Sequence, residues 1–267
     1  RFTLASLLAT SSIVFNRFSN YAKFTNIFHG GFDGVNILDK DQTFFLDRAL
    51  SADDGGKAVS DSSDIGLALI GSKNQAGAGR LNNCIASINK AVDIITDPTA
   101  TRINILAIPG ARDPFVTDYA LEKTKAYSKA IYIMDTVVYD ENKKRLYDDS
   151  LNRPDVRETS ELFESRAVDN NYGATFFPDV YMNDDQNNQI IRVPSSVAAV
   201  SALALNDSVR KPWFAPAGFS RGGLDFVTNV HVRLSSDDRD VLYDARINPI
   251  AVFPRTGFVI FGQKTLQ

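Results

Sequence analysis

The chain has 267 residues, 44% of them hydrophobic and 23% charged, with a formal net charge of -3. That balance is ordinary for a globular protein with a sizeable core, and it gives no basic field to attract nucleic acid. The single cysteine, Cys84, excludes an intrachain disulfide, and no run approaches the roughly twenty apolar residues of a membrane-spanning helix.

Residues 1–63 read as an irregular N-terminal segment packed on a core domain of residues 64–267. Within that segment Gly30, Gly31 and Gly34 mark tight turns around Phe32 and Asp33. Residues 51–63, polar and containing Gly55 and Gly56, read as a loop. From Asp64 the pattern alternates between strands and helices. Residues 65–70 read as a buried strand and 71–79 as a glycine-rich loop. Leu81, Ile85, Ile88, Val92 and Ile95 then recur at helical spacing until Asp97-Pro98 stops the helix. Residues 103–108 form an apolar strand, Val116, Tyr119, Ala120 and Tyr127 mark a helix, and 131–138 form the next strand. The charged run 140–149 reads as a solvated excursion. Val156, Phe163 and Ala167 lie on one face of a further helix, and 174–181 form another strand.

In the last third, Pro194 fits the first turn of a helix, where its missing N–H costs nothing. Val197, Val200, Ser201, Ala204 and Leu205 make a small-residue face that would let this helix lie close to a sheet. Residues 226–234 read as a strand. Ser235 with Asp238 is a capping-box pattern before a helix ending near Ala245. Two β-rich runs flank Pro254-Arg255-Thr256-Gly257, a hairpin. The fold class is α/β: a mixed, mostly parallel twisted sheet flanked by helices, with a C-terminal antiparallel hairpin. The 226–234 strand and the hairpin are expected to supply the antiparallel edges.

Several pieces then stand in a shared order: Gly30-Gly31-Phe32-Asp33-Gly34, Ile103-Asn104-Ile105-Leu106-Ala107-Ile108-Pro109-Gly110, Val193-Pro194-Ser195-Ser196, Trp213-Phe214-Ala215-Pro216-Ala217-Gly218, Ile247-Asn248-Pro249-Ile250, and Gly257-Phe258-Val259-Ile260-Phe261-Gly262. Together they resemble the tail sheath proteins of contractile-tailed bacteriophages, the large myovirus type above all, over about residues 30–267. The resemblance implies the tail-sheath core fold and a structural subunit that polymerises with itself around a tail tube. Such a subunit contracts to drive the tube through the host envelope. Its implied partners are the tail tube, baseplate and tail terminator proteins, with no direct nucleic acid and no membrane insertion. It would assemble in the host cytoplasm, reside in the virion, and carry no enzyme activity, cofactor or metal. Lys211, Trp213, Arg221 and Arg246, in loops or at an element end of this region, are the candidate subunit-interface residues. Sheath proteins continue past this Thr265-Leu266, so the chain reads as a fragment, expected to be monomeric at micromolar concentration with its two ends on one side. The same fold would serve the sheath of a phage-derived bacteriocin or a contractile secretion system. A reading of another class is a flavodoxin-like α/β enzyme, which needs functional residues converging at the carboxyl ends of the strands.

The motifs that could carry chemistry fall short. Residues 71–79 lack the third glycine of a dinucleotide turn, and Lys73 is not in a Walker arrangement. Asp39-Lys40-Asp41 begins like a calcium loop, but Phe44 and Leu50 stand where glycine and glutamate are needed. Asp184 and Asp185 read as a solvated turn. His29 and His231 have no cysteine cluster for zinc. Gly218-Phe219-Ser220-Arg221-Gly222 matches the nucleophile elbow, but prolines precede it and a β-rich run follows where a helix is required. Ser220→Ala should therefore leave ester hydrolysis at background; a loss of real turnover in a p-nitrophenyl ester assay would reverse this reading.

Overall fold

The computed structural model describes residues 11–17, 47, 50, 82–147, 150–185, 188–209, 211 and 213–267. The chain divides into two compact units, residues 1–32 and 33–267. The expected boundary at 63/64, the 65–70 strand, the 71–79 loop, the Asp39–Asp41 segment and His29 lie outside the described residues. In the first unit a six-residue helix, α1 (Ser12–Arg17), is described; Val14 N–H donates to Ser11 Oγ at 3.4 Å.

The second unit is built on a five-stranded sheet in the order β1-β2-β5-β9-β10. Strands β1 (Ile105–Ala107), β2 (Ile131–Met134), β5 (Gly173–Phe177) and β9 (Ile247–Phe253) run parallel, and β10 (Gly257–Ile260) closes one edge antiparallel to β9. This is the mixed, mostly parallel sheet that the sequence pattern implies. The helices between the strands start where short polar side chains satisfy their free N–H groups. Asn82 caps α2 (Asn83–Ile95), Asp113 followed by Pro114 caps α3 (Pro114–Tyr127), and Asp155 caps α4 (Val156–Ser165). Before α6 (Ser236–Asp244) the full capping box forms, with Ser235 and Asp238 each accepting from the other's backbone.

Alternation along the strands divides the core into two layers. Leu106, Tyr132, Met134 and Ile247 pack on one face with Leu121 of α3, Phe163 of α4 and Leu242 of α6. Ile133, Ala174, Phe176 and Ile250 pack on the other with Ala198, Ala199 and Ala202 of α5 (Ser195–Val209). The expected face of α5 is thereby corrected. Alanines and serines face the sheet, and Leu205 of the predicted face is 51% exposed. Only side chains that small fit a helix this close to the sheet, so the larger ones turn outward.

Three further expectations change. The strand expected over 131–138 ends at Met134, and Val138–Tyr139 (β3) instead pairs with Arg145–Leu146 (β4). The charged run between them is a turn in which Asp140 Oδ1 accepts from the N–H groups of Asn142 and Lys144. The strand expected over 174–181 is two strands. The chain leaves the main sheet at the cis Phe177-Pro178 bond and continues as β6 (Val180–Asp184). There β6 pairs with β7 (Gln189–Val193) and β8 (Val227–Val230) in a separate antiparallel sheet ordered β7-β6-β8. The expected 226–234 strand thus edges this small sheet, and the main sheet takes its antiparallel edge from β10 alone.

The last residues fold back beside β5. Leu266 is fully buried, its N–H donating to the Gly173 carbonyl at 3.0 Å. Asn248 holds the same segment: its Oδ1 accepts from Lys264 N–H at 2.7 Å, and its Nδ2 reaches the carbonyls of Lys264 and Thr175. A Cβ on Gly173 would lie 2.2 Å from Leu121 Cδ2 and 3.0 Å from Leu266 Cδ1. Gly173→Ala should therefore overpack this junction and lower unfolding stability by about 1–3 kcal/mol in urea denaturation; an unchanged midpoint would mean that α3 and the tail segment give way freely.

Candidate functional site: a buried ionic cluster and an exposed aromatic rim

At the carboxyl ends of β1, β2 and β5 the chain leaves each strand through a charged residue: Arg112, Asp135 and Asp179. Arg112 is 2% exposed, Asp135 0% and Asp179 5%. Arg112 Nη2 donates to both Asp179 carboxylate oxygens at 2.9 and 2.8 Å, while its Nη1 donates to the Thr136 carbonyl at 2.8 Å. Arg192 of β7 approaches the same carboxylate with Nε at 3.4 Å, and its Nη1 meets His231 Nε2 at 3.3 Å. His231 N–H in turn donates to the Asp179 carbonyl at 2.9 Å.

Asp135 accepts from four donors: Gly110 N–H at 3.0 Å, Ser195 Oγ–H at 3.1 Å, Ser196 N–H at 2.9 Å and Ser196 Oγ–H at 2.7 Å. Burial pushes its carboxyl above the usual carboxylate range, while Arg112, Ser196 and Gly110 pull the other way. Among the described residues the cluster sets two carboxyl groups against two guanidiniums, the pairing that buried charge requires. Convergence of polar groups at strand carboxyl ends is the arrangement a flavodoxin-like enzyme would need. Here these groups are spent on one another, joining the main sheet, α5 and the small sheet into one body. Sequence reading missed this cluster. The available signal was a lone acidic residue just past the apolar runs that become β2 and β5, Asp135 and Asp179.

The four candidate interface residues separate. Lys211, Trp213 and Arg221 belong to one exposed loop. Trp213 is 76% exposed and meets Phe214 edge-on at 6.3 Å, and the Arg221 guanidinium lies 4.0 Å from the Phe214 ring centre. Asn206 of α5 anchors the loop by donating Nδ2–H to the Phe214 carbonyl at 2.6 Å. Arg246 lies elsewhere, in the left-handed conformation (φ 65°) at the start of β9, its Nη1 donating to the carbonyls of Val168 and Leu266 at 2.9 and 3.1 Å.

The loop continues along β10. Phe219 stacks with Phe253 and Phe261, ring centres 4.8 and 5.6 Å away, and Arg239 of α6 covers Phe253 at 4.9 Å. Ser220 sits in a tight turn closed by Gly222 N–H to Gly218 O at 2.8 Å, with no helix after it, so the nucleophile-elbow geometry is not formed. Gly222 is required there, since a Cβ would stand 2.6 Å from the Ile260 carbonyl oxygen. Cys84 is buried. Among the described residues no cluster of three or more His, Cys, Asp or Glu is placed to hold a metal, and no helix is long and apolar enough to cross a membrane.

The chain is similar in sequence to tail sheath proteins. It is 37% identical over 99 residues to the tail sheath protein of Vibrio phage KVP40 and 32% identical over 85 residues to that of Enterobacteria phage T4. It is 28% identical over 150 residues to that of Salmonella phage ViI. Those matches cover 37%, 32% and 55% of this chain but only 14%, 13% and 22% of the relatives, so the chain matches less than a quarter of their length. No protein-family model matches. Among solved structures, the helical sheath of the anti-feeding prophage in its contracted state aligns over 71% of this chain and 45% of its own. That alignment has a TM-score of 0.44 and 20% identity. The sheath complex of an extracellular contractile injection system, PVC, also contracted, aligns over 68% and 44% with a TM-score of 0.46 and 19% identity.

Removing one member of the cluster leaves a buried charge without its counterion. Asp179→Ala should cost about 3–5 kcal/mol of unfolding stability in urea denaturation, and the loss should persist in high salt because a buried pair is poorly screened. A loss below about 1 kcal/mol would place Asp179 among ordinary surface carboxylates.

Proposed function

We propose that this chain is the core of a contractile tail sheath subunit, one of many copies stacked helically around a tail tube. The observation that carries the reading is its sequence similarity to three tail sheath proteins from different phages. The buried cluster supports it. Contraction asks a subunit to move as a rigid body while its contacts with neighbours change, and a body locked through its own ionic centre meets that requirement. The work comes from new burial and charge pairing between subunits, without nucleotide. The subunit is structural, contacts the tube, baseplate and tail terminator proteins, is assembled in the host cytoplasm and resides in the virion tail.

Within this reading residues 64–267 are the sheath core and residues 1–63 an appended segment. Lys211, Trp213 and Arg221 belong to one contact surface, and Arg246, tethered to its own chain, to a separate one. A bacteriocin or secretion sheath would use the same body; the phage origin of the three relatives favours the virion. Electron microscopy of the protein expressed from its complete reading frame is the test. Tubes or stacked rings with a hollow wide enough for a tail tube are expected. Persistently unassembled particles under conditions that keep the protein folded would sink the proposal.

A further inference from the structure

Resting on the self-assembly just proposed, the geometry points to a specific head-to-tail contact. The aromatic rim along β10 docks into the cleft between α2 and α3 of a second copy of this chain. The rim is an unusual surface. Trp213, Phe219 and Phe261 are 76%, 56% and 41% exposed. Its cations are as telling as its rings. The guanidiniums of Arg221 and Arg239 lie on the faces of Phe214 and Phe253, and among the described residues neither pairs with a carboxylate. Aromatic side chains with arginine at their centre are the composition of an interface core.

The cleft is its complement. It has a volume of about 640 Å³ between α2 and α3, lined by the buried Ile85, by Ala86 and by the half-exposed ring of Phe115. Among its described lining residues the charged ones are all acidic: Asp118, paired with Arg166, and Glu122, exposed and without an ion-pair partner among the described residues. A guanidinium entering with its aromatic neighbours would meet carboxylate and apolar surface together.

Placement decides the geometry of the assembly. The strand order β1-β2-β5-β9-β10 puts the rim at one edge of the sheet, whereas α3 packs on β2 beside the other edge. Two complementary surfaces at opposite edges cannot close into a two-fold pair. They make a head-to-tail contact that repeats from copy to copy, closing into a ring where the rotation closes and building an open helical wall where it does not.

A mixing experiment tests this on the chain itself. The rim variant Arg221→Glu/Arg239→Glu keeps an intact cleft, and the cleft variant Glu122→Arg keeps an intact rim. Circular dichroism first establishes that both fold. In sedimentation equilibrium at hundreds of micromolar, the unsubstituted chain should show a weight-average mass that climbs past the dimer. Each variant alone should stay near the monomer mass of 29.4 kDa. An equimolar mixture should associate again, since the unsubstituted rim of one variant meets the unsubstituted cleft of the other and the two reversed surfaces are again opposite in charge. No association of the unsubstituted chain, association that either variant leaves intact, or a mixture that stays monomeric would overturn the proposal. If the complete protein forms tubes and both variants assemble as well as the parent, this contact fails while the sheath reading stands. If the parent forms no tubes, the sheath reading fails first.

Discussion

Asp179 is the residue on which the architecture turns. Its carboxylate takes Arg112 from the end of β1 and Arg192 from β7, and its backbone carbonyl takes the N–H of His231 just past β8. A buried charge is costly unless it is paired and hydrogen-bonded, so each member of this set demands the others. The main sheet therefore specifies where the small β7-β6-β8 sheet must sit. Apolar packing alone would tolerate a range of placements for a three-stranded sheet, whereas a carboxylate between two guanidiniums tolerates one.

Asp135 performs the same service for α5. An alanine-rich helix offers few side chains whose shape fixes its position along the sheet. The two serines that open it lie against Asp135, and the one hydroxyl hydrogen of Ser195 is shared between that carboxyl at 3.1 Å and the Phe176 carbonyl at 2.8 Å. Gly110 N–H binds the same carboxylate from the turn after β1. Two of the segments that carry the sequence resemblance, Pro109-Gly110 and Pro194-Ser195-Ser196, thus meet at one buried carboxylate. Both tie their segments, the turn after β1 and the start of α5, to the end of β2.

What was legible in the sequence follows from this division of labour. The helices are legible because their apolar stripes and the Ser235/Asp238 box are local patterns. The parallel strands were legible as short apolar runs, and the terminal hairpin as two β-rich runs around Pro254–Gly257. Departure of the chain from the main sheet after Phe177 has its sign in Pro178-Asp179, since a central strand rarely holds proline, but the apolar residues on either side mask it. The outward turn of Leu205 was hidden for a related reason. The burial of α5 is set by distance to the sheet, which selects small residues, and not by hydrophobic rank. The ionic cluster joins residues 67 positions apart in the Arg112–Asp179 pair and 61 apart in the Asp135–Ser196 pair. No local pattern reports such pairings.

The treatment of the β10 edge explains why side chains carry the exposed surface there. An uncovered edge strand offers its N–H and C=O groups to any passing strand. Here the loop before β8 takes them: Ile260 N–H donates to Gly222 O at 2.8 Å, Leu224 N–H to Phe258 O at 2.9 Å, and Gly218 N–H to Ile260 O at 2.8 Å. Covering the edge so tightly requires glycine at 222, and it forces the loop to wrap from the α5 face of the sheet to the α6 face. Phe214 is left on the first side and Phe219 on the second, against Phe253 and Phe261. What this edge presents to its surroundings is therefore side chains, rings and guanidiniums, in place of open backbone groups.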